Sequence, residues 1–218
     1  MSRVIALDGP AAAGKGTLAR KLAAHFGYAY LETGLLYRAV GVRVLRQGAD
    51  PADPQAAVAA ATALTPEDLG DEAKLRSDEA ANAASLVAAI PEVRKILVNF
   101  QRDFASRPPG GAGGAVIDGR DIGTVVCPEA EIKFFVTASL EARANRRLKE
   151  LRERGIAGIP SRVLRDMQDR DARDSQRDTA PLRMADDAIL LDTTELTADE
   201  AFAAALKSIE ARETTGSD

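Results

Sequence analysis

The 218 residues contain no tryptophan, one cysteine, one histidine, and only 4% aromatic residues. Each scarcity excludes something. Few aromatics leave little for a base-stacking platform on single-stranded nucleic acid. A net charge of −4 removes the whole-protein basic footprint that a long polyanion requires. The lone thiol, Cys127, has no partner for an internal disulfide, so a reducing compartment is expected. With His25 alone, no histidine metal cluster can form. Hydrophobic runs are short. The N-terminal one, Val4 to Leu7, reaches neither the length of a secretory signal nor that of a membrane span. These absences predict a cytoplasmic protein without membrane or nucleic-acid partners. A monomer is expected because no long apolar stripe is left over.

What is present alternates. Val4–Leu7, Tyr28–Leu31, Ala115–Ile117, Ile132–Val136 and Ala188–Leu191 read as short buried strands. Between them lie helical patterns: Lys15 to Phe26 with Gly27 as C-cap, Leu35 to Arg46, Leu140 to Arg154, Ser161 to Asp171, and Thr197 to Arg212. The Ala/Asp/Glu-rich stretch from Asp50 to Arg107 predicts several helices broken at Pro51, Pro66 and Pro91, with Thr65–Ser77 lacking a clear period. Pro108 to Gly114 reads as a turn or hinge, and Glu213 to Asp218 as a disordered tail. Strands alternating with helices predict an α/β fold with a parallel sheet flanked by helices.

The first strand runs into Gly9-Pro10-Ala11-Ala12-Ala13-Gly14-Lys15-Gly16-Thr17. This fits a phosphate-binding loop up to its lysine, with Gly16 where a hydroxyl residue commonly stands and Thr17 next. Glycines allow successive N–H groups to turn toward phosphate oxygens, and the helix from Lys15 points its positive end at them. Lys15 would reach the β- and γ-phosphates of ATP, and the Thr17 hydroxyl would bind Mg²⁺. An accidental Gly/Ala turn is the bland reading. A strand before the loop and an amphipathic helix after it argue against that.

Further motifs follow in order: Glu32-Thr33-Gly34-Leu35-Leu36-Tyr37-Arg38, Ala81-Asn82-Ala83-Ala84-Ser85, Asp118-Gly119-Arg120-Asp121-Ile122-Gly123-Thr124-Val125-Val126, Arg170-Asp171-Ala172-Arg173-Asp174-Ser175-Gln176-Arg177, and Ala180-Pro181-Leu182. Together with the loop they resemble the bacterial cytidylate kinases, over nearly the whole chain. The Asp-Gly-Arg-Asp and Arg-Asp-x-Arg-Asp strings are the most specific to that family.

The resemblance implies a P-loop kinase fold in a single domain: a core of about 1–33, 108–142 and 185–212, a mobile NMP-binding subdomain of about 34–107, and a lid of about 143–184. It implies transfer of the γ-phosphoryl of ATP to CMP and dCMP, with Mg²⁺. Arg38, Arg94 and Arg120 would clamp the CMP phosphate, for which guanidinium forks are suited. Thr33, Ser85, Arg94 and Asp121 would read the cytosine edge. Arg170, Asp174 and Arg177 would contact sugar and phosphates, with Asp174 on the ribose, and Arg146 would touch the adenine of ATP. Lys15, Arg120 and Arg177 are the implied catalytic set. The insert from Ala59 to Asp78 is short and Ala-rich where many family members carry a small antiparallel sheet, so a reduced helical insert is expected. Glu32 and Leu35 depart from the family's usual Asp and small residue.

Other readings stand beside these. Alone, Arg170–Arg177 would be surface ion pairs at helical spacing. Arg152 and Arg154 read as a solvated helix face, His25 as a helix-surface residue, and Cys127 as a buried thiol. Rival functions are a P-loop kinase for UMP, AMP or shikimate, and an ATP-dependent switch or binding module.

Overall fold

The computed structural model describes residues 3–215. Five parallel strands form one sheet: β1 (Arg3–Asp8), β2 (Ala29–Glu32), β3 (Gly114–Asp118), β4 (Ile132–Thr137) and β5 (Ile189–Asp192), in the order β2-β3-β1-β4-β5. β1 is central, with Ile5 opposite Val116 on one side and Ile132 on the other. Side chains alternate across a strand. Ile5 and Leu7 therefore face one layer, packed with Leu18, Leu22, Phe134 and Ile209. Ala6 faces the other, with Val98, Ala105, Ile117, Ile122 and Val126. Burial on both faces is why these strands read as unbroken apolar runs.

Helix α1 (Lys15–Phe26) begins after left-handed Gly14 and ends at left-handed Gly27. Helix α2 (Thr33–Arg46) starts two residues before Leu35, because Thr33 and Gly34 already belong to its first turn. Helices α3 (Pro54–Thr62), α4 (Glu72–Leu75), α5 (Asp78–Val87) and α6 (Pro91–Ser106) follow, with a 3₁₀ turn at Pro66–Leu69. Pro54, Pro66 and Pro91 each open a helix, the position where a missing N–H costs nothing. Between residues 59 and 78 the described backbone forms helical turns and no strand. Leu36, Val40, Val44, Val87, Val93 and Leu97 hold α2, α5 and α6 together as a second core.

Helices α7 (Leu140–Glu153) and α8 (Pro160–Gln176) form a hairpin over Ala144, Leu148, Leu151, Val163 and Met167. α8 runs five residues beyond Asp171, and so carries the Arg170–Arg177 motif in its last turns. Helix α9 (Ala198–Thr215) packs Ala205 and Ile209 against the first layer. It includes residues 213–215 of the expected tail, while 216–218 lie outside the described residues. A π-helical turn at Ile122–Val126, absent from the sequence-based expectation, follows β3.

Candidate active site

The carboxyl ends of β1 and β3 lie side by side, the place where open α/β sheets carry ligands. From β1 the chain enters the loop Gly9–Thr17. Gly9 has a φ of 142°, and a Cβ there would stand 1.9 Å from the Val136 carbonyl oxygen of β4. Only glycine fits. Ala12 is also left-handed, at φ 58°, and with Gly14 it shapes the concavity of the loop. The side chain of Lys15 folds back into this concavity, where Nζ donates to the Pro10 carbonyl at 2.8 Å. Burial, then the nearby Arg120, push its pKa down to about 7. Gly16 looks toward Asp118, whose Oδ2 would lie 3.4 Å from an added Cβ, and Thr17 is exposed in the first turn of α1.

From β3 the chain enters Asp118–Asp121. Burial raises the Asp118 pKa, and its carbonyl accepts from the Thr33 hydroxyl at 2.8 Å, joining α2 to β3. Asp121 is buried and faces two guanidinium groups. It is ion-paired with buried Arg94, and Arg177 Nη2 lies 3.5 Å from its Oδ1. Arg94 also lies 5.7 Å over the ring of Tyr37.

Asp174 organises a second cluster. Its Oδ2 accepts from Arg120 Nε at 2.9 Å and lies 3.9 Å from Arg170 Nε, while Oδ1 accepts from the Ser85 hydroxyl at 3.4 Å. Burial alone would raise the Asp174 pKa, but Arg120 and Arg170 outweigh it and hold it low. Burial and Arg120 push the Arg170 pKa down, a sign of crowded positive charge. Such crowding favours a polyanion over the solvated ion pairs that the Arg170–Arg177 string alone suggests. Arg177 Nε donates to the Ala180 carbonyl at 2.6 Å, and the Leu182 amide to the Asp174 carbonyl at 2.7 Å. The Ala180-Pro181-Leu182 string thus folds back on the end of α8.

Not every expected residue joins these clusters. Arg38 donates to the Leu75 carbonyl at 2.7 Å, and burial lowers its pKa to about 10. Arg146 is linked to the Gly9–Thr17 loop through Thr193: Nη1 donates to the Thr193 hydroxyl at 2.9 Å, and that hydroxyl donates to the Ala13 carbonyl at the same distance. Arg154 corrects the expectation of a solvated face. It donates to the Arg76 carbonyl at 2.7 Å, tying the end of α7 to the segment between α4 and α5. Arg152 and His25 are exposed as expected, whereas Cys127 is only partly buried.

Sequence reasoning missed three contributors. Arg143 donates to Ala138 at 3.0 Å and Ala11 at 3.3 Å and pairs with Asp171 at 2.7 Å, so it joins the phosphate loop to α8. Tyr37 lies in a quoted motif, but its place under Arg94 needed the fold. Asp8 is a buried carboxylate at the end of β1 that binds the amides of Ile122 and Gly123. A charged residue closing an apolar strand was its only signal. A half-open cleft of about 310 Å³ lies between Tyr30, Glu32, Leu35, Leu69 and Arg76, and none of the residues expected to bind nucleotide lines it.

The chain is similar to known proteins over nearly its whole length. The family model described as cytidylate kinase matches residues 5–211. The chain is 63% identical to the cytidylate kinase of Paramagnetospirillum magneticum, covering 94% of this chain and 97% of that one. It is 62% identical to the cytidylate kinase of Rhodospirillum rubrum, covering 93% and 95%. Among solved structures, a gluconokinase from Sinorhizobium meliloti superposes with a TM-score of 0.51 at 15% identity, covering all of this chain and 98% of that one. That likeness speaks for the fold alone, a parallel α/β sheet flanked by helices. With its loop, its Asp-Gly-Arg-Asp turn and its family match on one chain, the protein belongs to the cytidylate kinase family.

Proposed function

We propose that this chain transfers the γ-phosphoryl group of ATP to CMP, and to dCMP, giving ADP and CDP or dCDP. The observation that carries the reading is Asp121, a buried carboxylate held between Arg94 and Arg177. A carboxylate accepts from the exocyclic amine of cytosine, and it repels the carbonyl at the same place on uracil.

The acceptor phosphate is already a nucleophile, so alignment and charge neutralisation carry the catalysis. Gly9 to Thr17 would cradle the ATP phosphates, with Lys15 on the transferring group and Arg146 toward the adenine. Arg120 and Arg177 would converge on the developing charge. Arg38, Arg94 and Arg120 would hold the CMP phosphate side, Thr33, Ser85, Arg94 and Asp121 the base, and Arg170, Asp174 and Arg177 the sugar and its phosphate. Residues of about 34–107 form the acceptor subdomain in this reading, and about 143–184 the lid. Lid-to-acceptor contacts such as Ser85–Asp174 support a closed, water-excluding site.

The donor set fits Mg²⁺: the exposed Thr17 hydroxyl and the Asp118 carboxylate flank Gly16. Among the described residues no group of three metal-binding side chains forms a cage. Mg²⁺ held by one or two protein oxygens and substrate phosphates requires none. Bound there, the ion supplies neutralisation of phosphate charge.

The protein's partners in this reading are small-molecule nucleotides, with a monomer working in the cytoplasm. No helix among the described residues is long and apolar enough to cross a membrane. An ADP-release assay over CMP, dCMP, UMP, AMP and shikimate tests the substrate. CMP is expected to be the best acceptor, and a kcat/KM for UMP equal to that for CMP refutes the assignment.

A further inference from the structure

The geometry points to Asp8 as a positioning residue that registers the acceptor-reading turn on the ATP-binding loop. Asp8 ends β1, one residue before Gly9, and is 4% exposed. Its Oδ1 accepts from the Ile122 amide at 2.7 Å and its Oδ2 from the Gly123 amide at 2.7 Å. These two amides open the π-helical turn whose preceding residue is Asp121. The Asp121 carbonyl in turn accepts from the amides of Val125 at 2.9 Å and Val126 at 3.1 Å. One carboxylate thus connects the residue that begins the phosphate loop with the residue proposed to read the base. π-Turns concentrate at functional sites because the extra residue re-aims a side chain.

The groups around Asp8 do not compete for its two amide bonds. The Lys133 stem packs beside Gly123, but its ammonium reaches away to the Pro128 carbonyl and to Asp187. Lys15 and Asp121 face the carboxylate with opposite effects. Gly123 is closely approached: a Cβ there would lie 3.3 Å from Asp8 Oδ2 and 3.1 Å from Lys133 Cδ, tight enough that both would have to give way. Burial, only partly offset by the two amide bonds, raises the Asp8 pKa to about 6. A folded pKa above the unfolded one means that the ionised group lowers stability above pH 6, and that this loss fades as pH falls toward 3.8. A carboxylate kept at the expense of stability is what a positioning role predicts.

The test is Asp8→Asn, assayed at pH 8 for both nucleotides and for thermal stability. Asparagine offers one carbonyl oxygen and turns an NH₂ group against the other amide, so the turn shifts while the buried charge disappears. A misplacement of about 1 Å at a reacting centre costs on the order of a hundredfold in rate. The expected result is a rise of about tenfold or more in KM for CMP, KM for ATP within about twofold of wild type, and an equal or higher Tm. Gly123→Ala crowds the same contact and is expected to raise KM for CMP in the same way. An unchanged KM for CMP in Asp8→Asn overturns the inference. So does an equal rise in both KM values with a lower Tm, which is the mark of a merely structural residue. The inference rests on the CMP kinase reading, and the wild-type control separates the two: a wild type inert toward CMP defeats that reading, whereas an active wild type matched by Asp8→Asn defeats only this one.

Discussion

Lys15 offers a measurement that binding energetics alone would not suggest. Its ammonium is buried against the Pro10 carbonyl, and burial with Arg120 and Arg170 nearby brings its pKa to about 7. The triphosphate of ATP, placed in the concavity, supplies the negative charge that restores the ordinary range near 10.4. With a free-enzyme pKa of about 7, roughly nine-tenths of the lysine is neutral at pH 8, so binding should take up about 0.9 proton. ATP itself contributes little there, being fully ionised and bound to Mg²⁺. By linkage, an uptake of that size makes affinity fall almost tenfold per pH unit above pH 8. Isothermal titration calorimetry at pH 8 in buffers of differing ionisation enthalpy reads the uptake directly. Lys15→Met, which keeps the length and apolar stem, is expected to abolish it and to lower kcat by about 10²–10³-fold, the scale of losing one transition-state donor. The same variant should be no less stable at pH 7. A lysine whose folded pKa is depressed lowers stability below its unfolded pKa, fully so below pH 7, and is relieved as pH rises. Equal proton uptake by wild type and Lys15→Met at pH 8 refutes the reasoning, as does a fully active Lys15→Met enzyme.

Other perturbations follow from the same geometry. Asp121→Ala strips the carboxylate from buried Arg94 and from Arg177, and breaking a buried pair on one side costs about 3–5 kcal/mol. Denaturant unfolding should show that loss, and the acceptor panel should show the gap between CMP and UMP closing. Arg154→Ala removes hydrogen bonds from α7 to the carbonyls of Arg76 and Ala73. With the side chain 27% exposed, the stability change should stay near 1 kcal/mol. If the α7–α8 hairpin is the proposed lid, its closure should loosen, however, and raise ATP hydrolysis measured without CMP.

Local chemistry made much of the fold legible. The strand Val4–Leu7, the glycines and lysine of the loop, and the Gly27 cap are dictated within a few residues of themselves. Periodicity reads such segments well, so β1, α1, β3 and β4 lie close to their expected places. The proline breaks were legible too, although Pro91 turned out to start a long helix. The π-turn at Ile122–Val126 was not legible, because it exists only where the Asp8 carboxylate, 114 positions away in the chain, takes its first two amides. Arg154 was misread for a similar reason. Its partners are backbone carbonyls of Arg76 and Ala73, brought near by packing of the α7–α8 hairpin against the α4–α5 segment, and a carbonyl leaves no trace in a residue pattern.

The sequence by itself determined a loop of phosphate-binding type between β1 and α1 and, through motif resemblance, which acceptor to expect. Its phosphate loop is local: a glycine, a lysine and a helix start suffice. What only the tertiary structure decided is how the buried charge clusters proposed for the acceptor are held. Asp121 meets Arg94 from α6 and Arg177 from the end of α8, and Asp174 meets Arg120 from the β3 turn and Ser85 from α5. Those charges stand tens of residues apart in the chain. Only the parallel sheet and the folded-over hairpin bring them within bonding distance, where burial makes each pairing count.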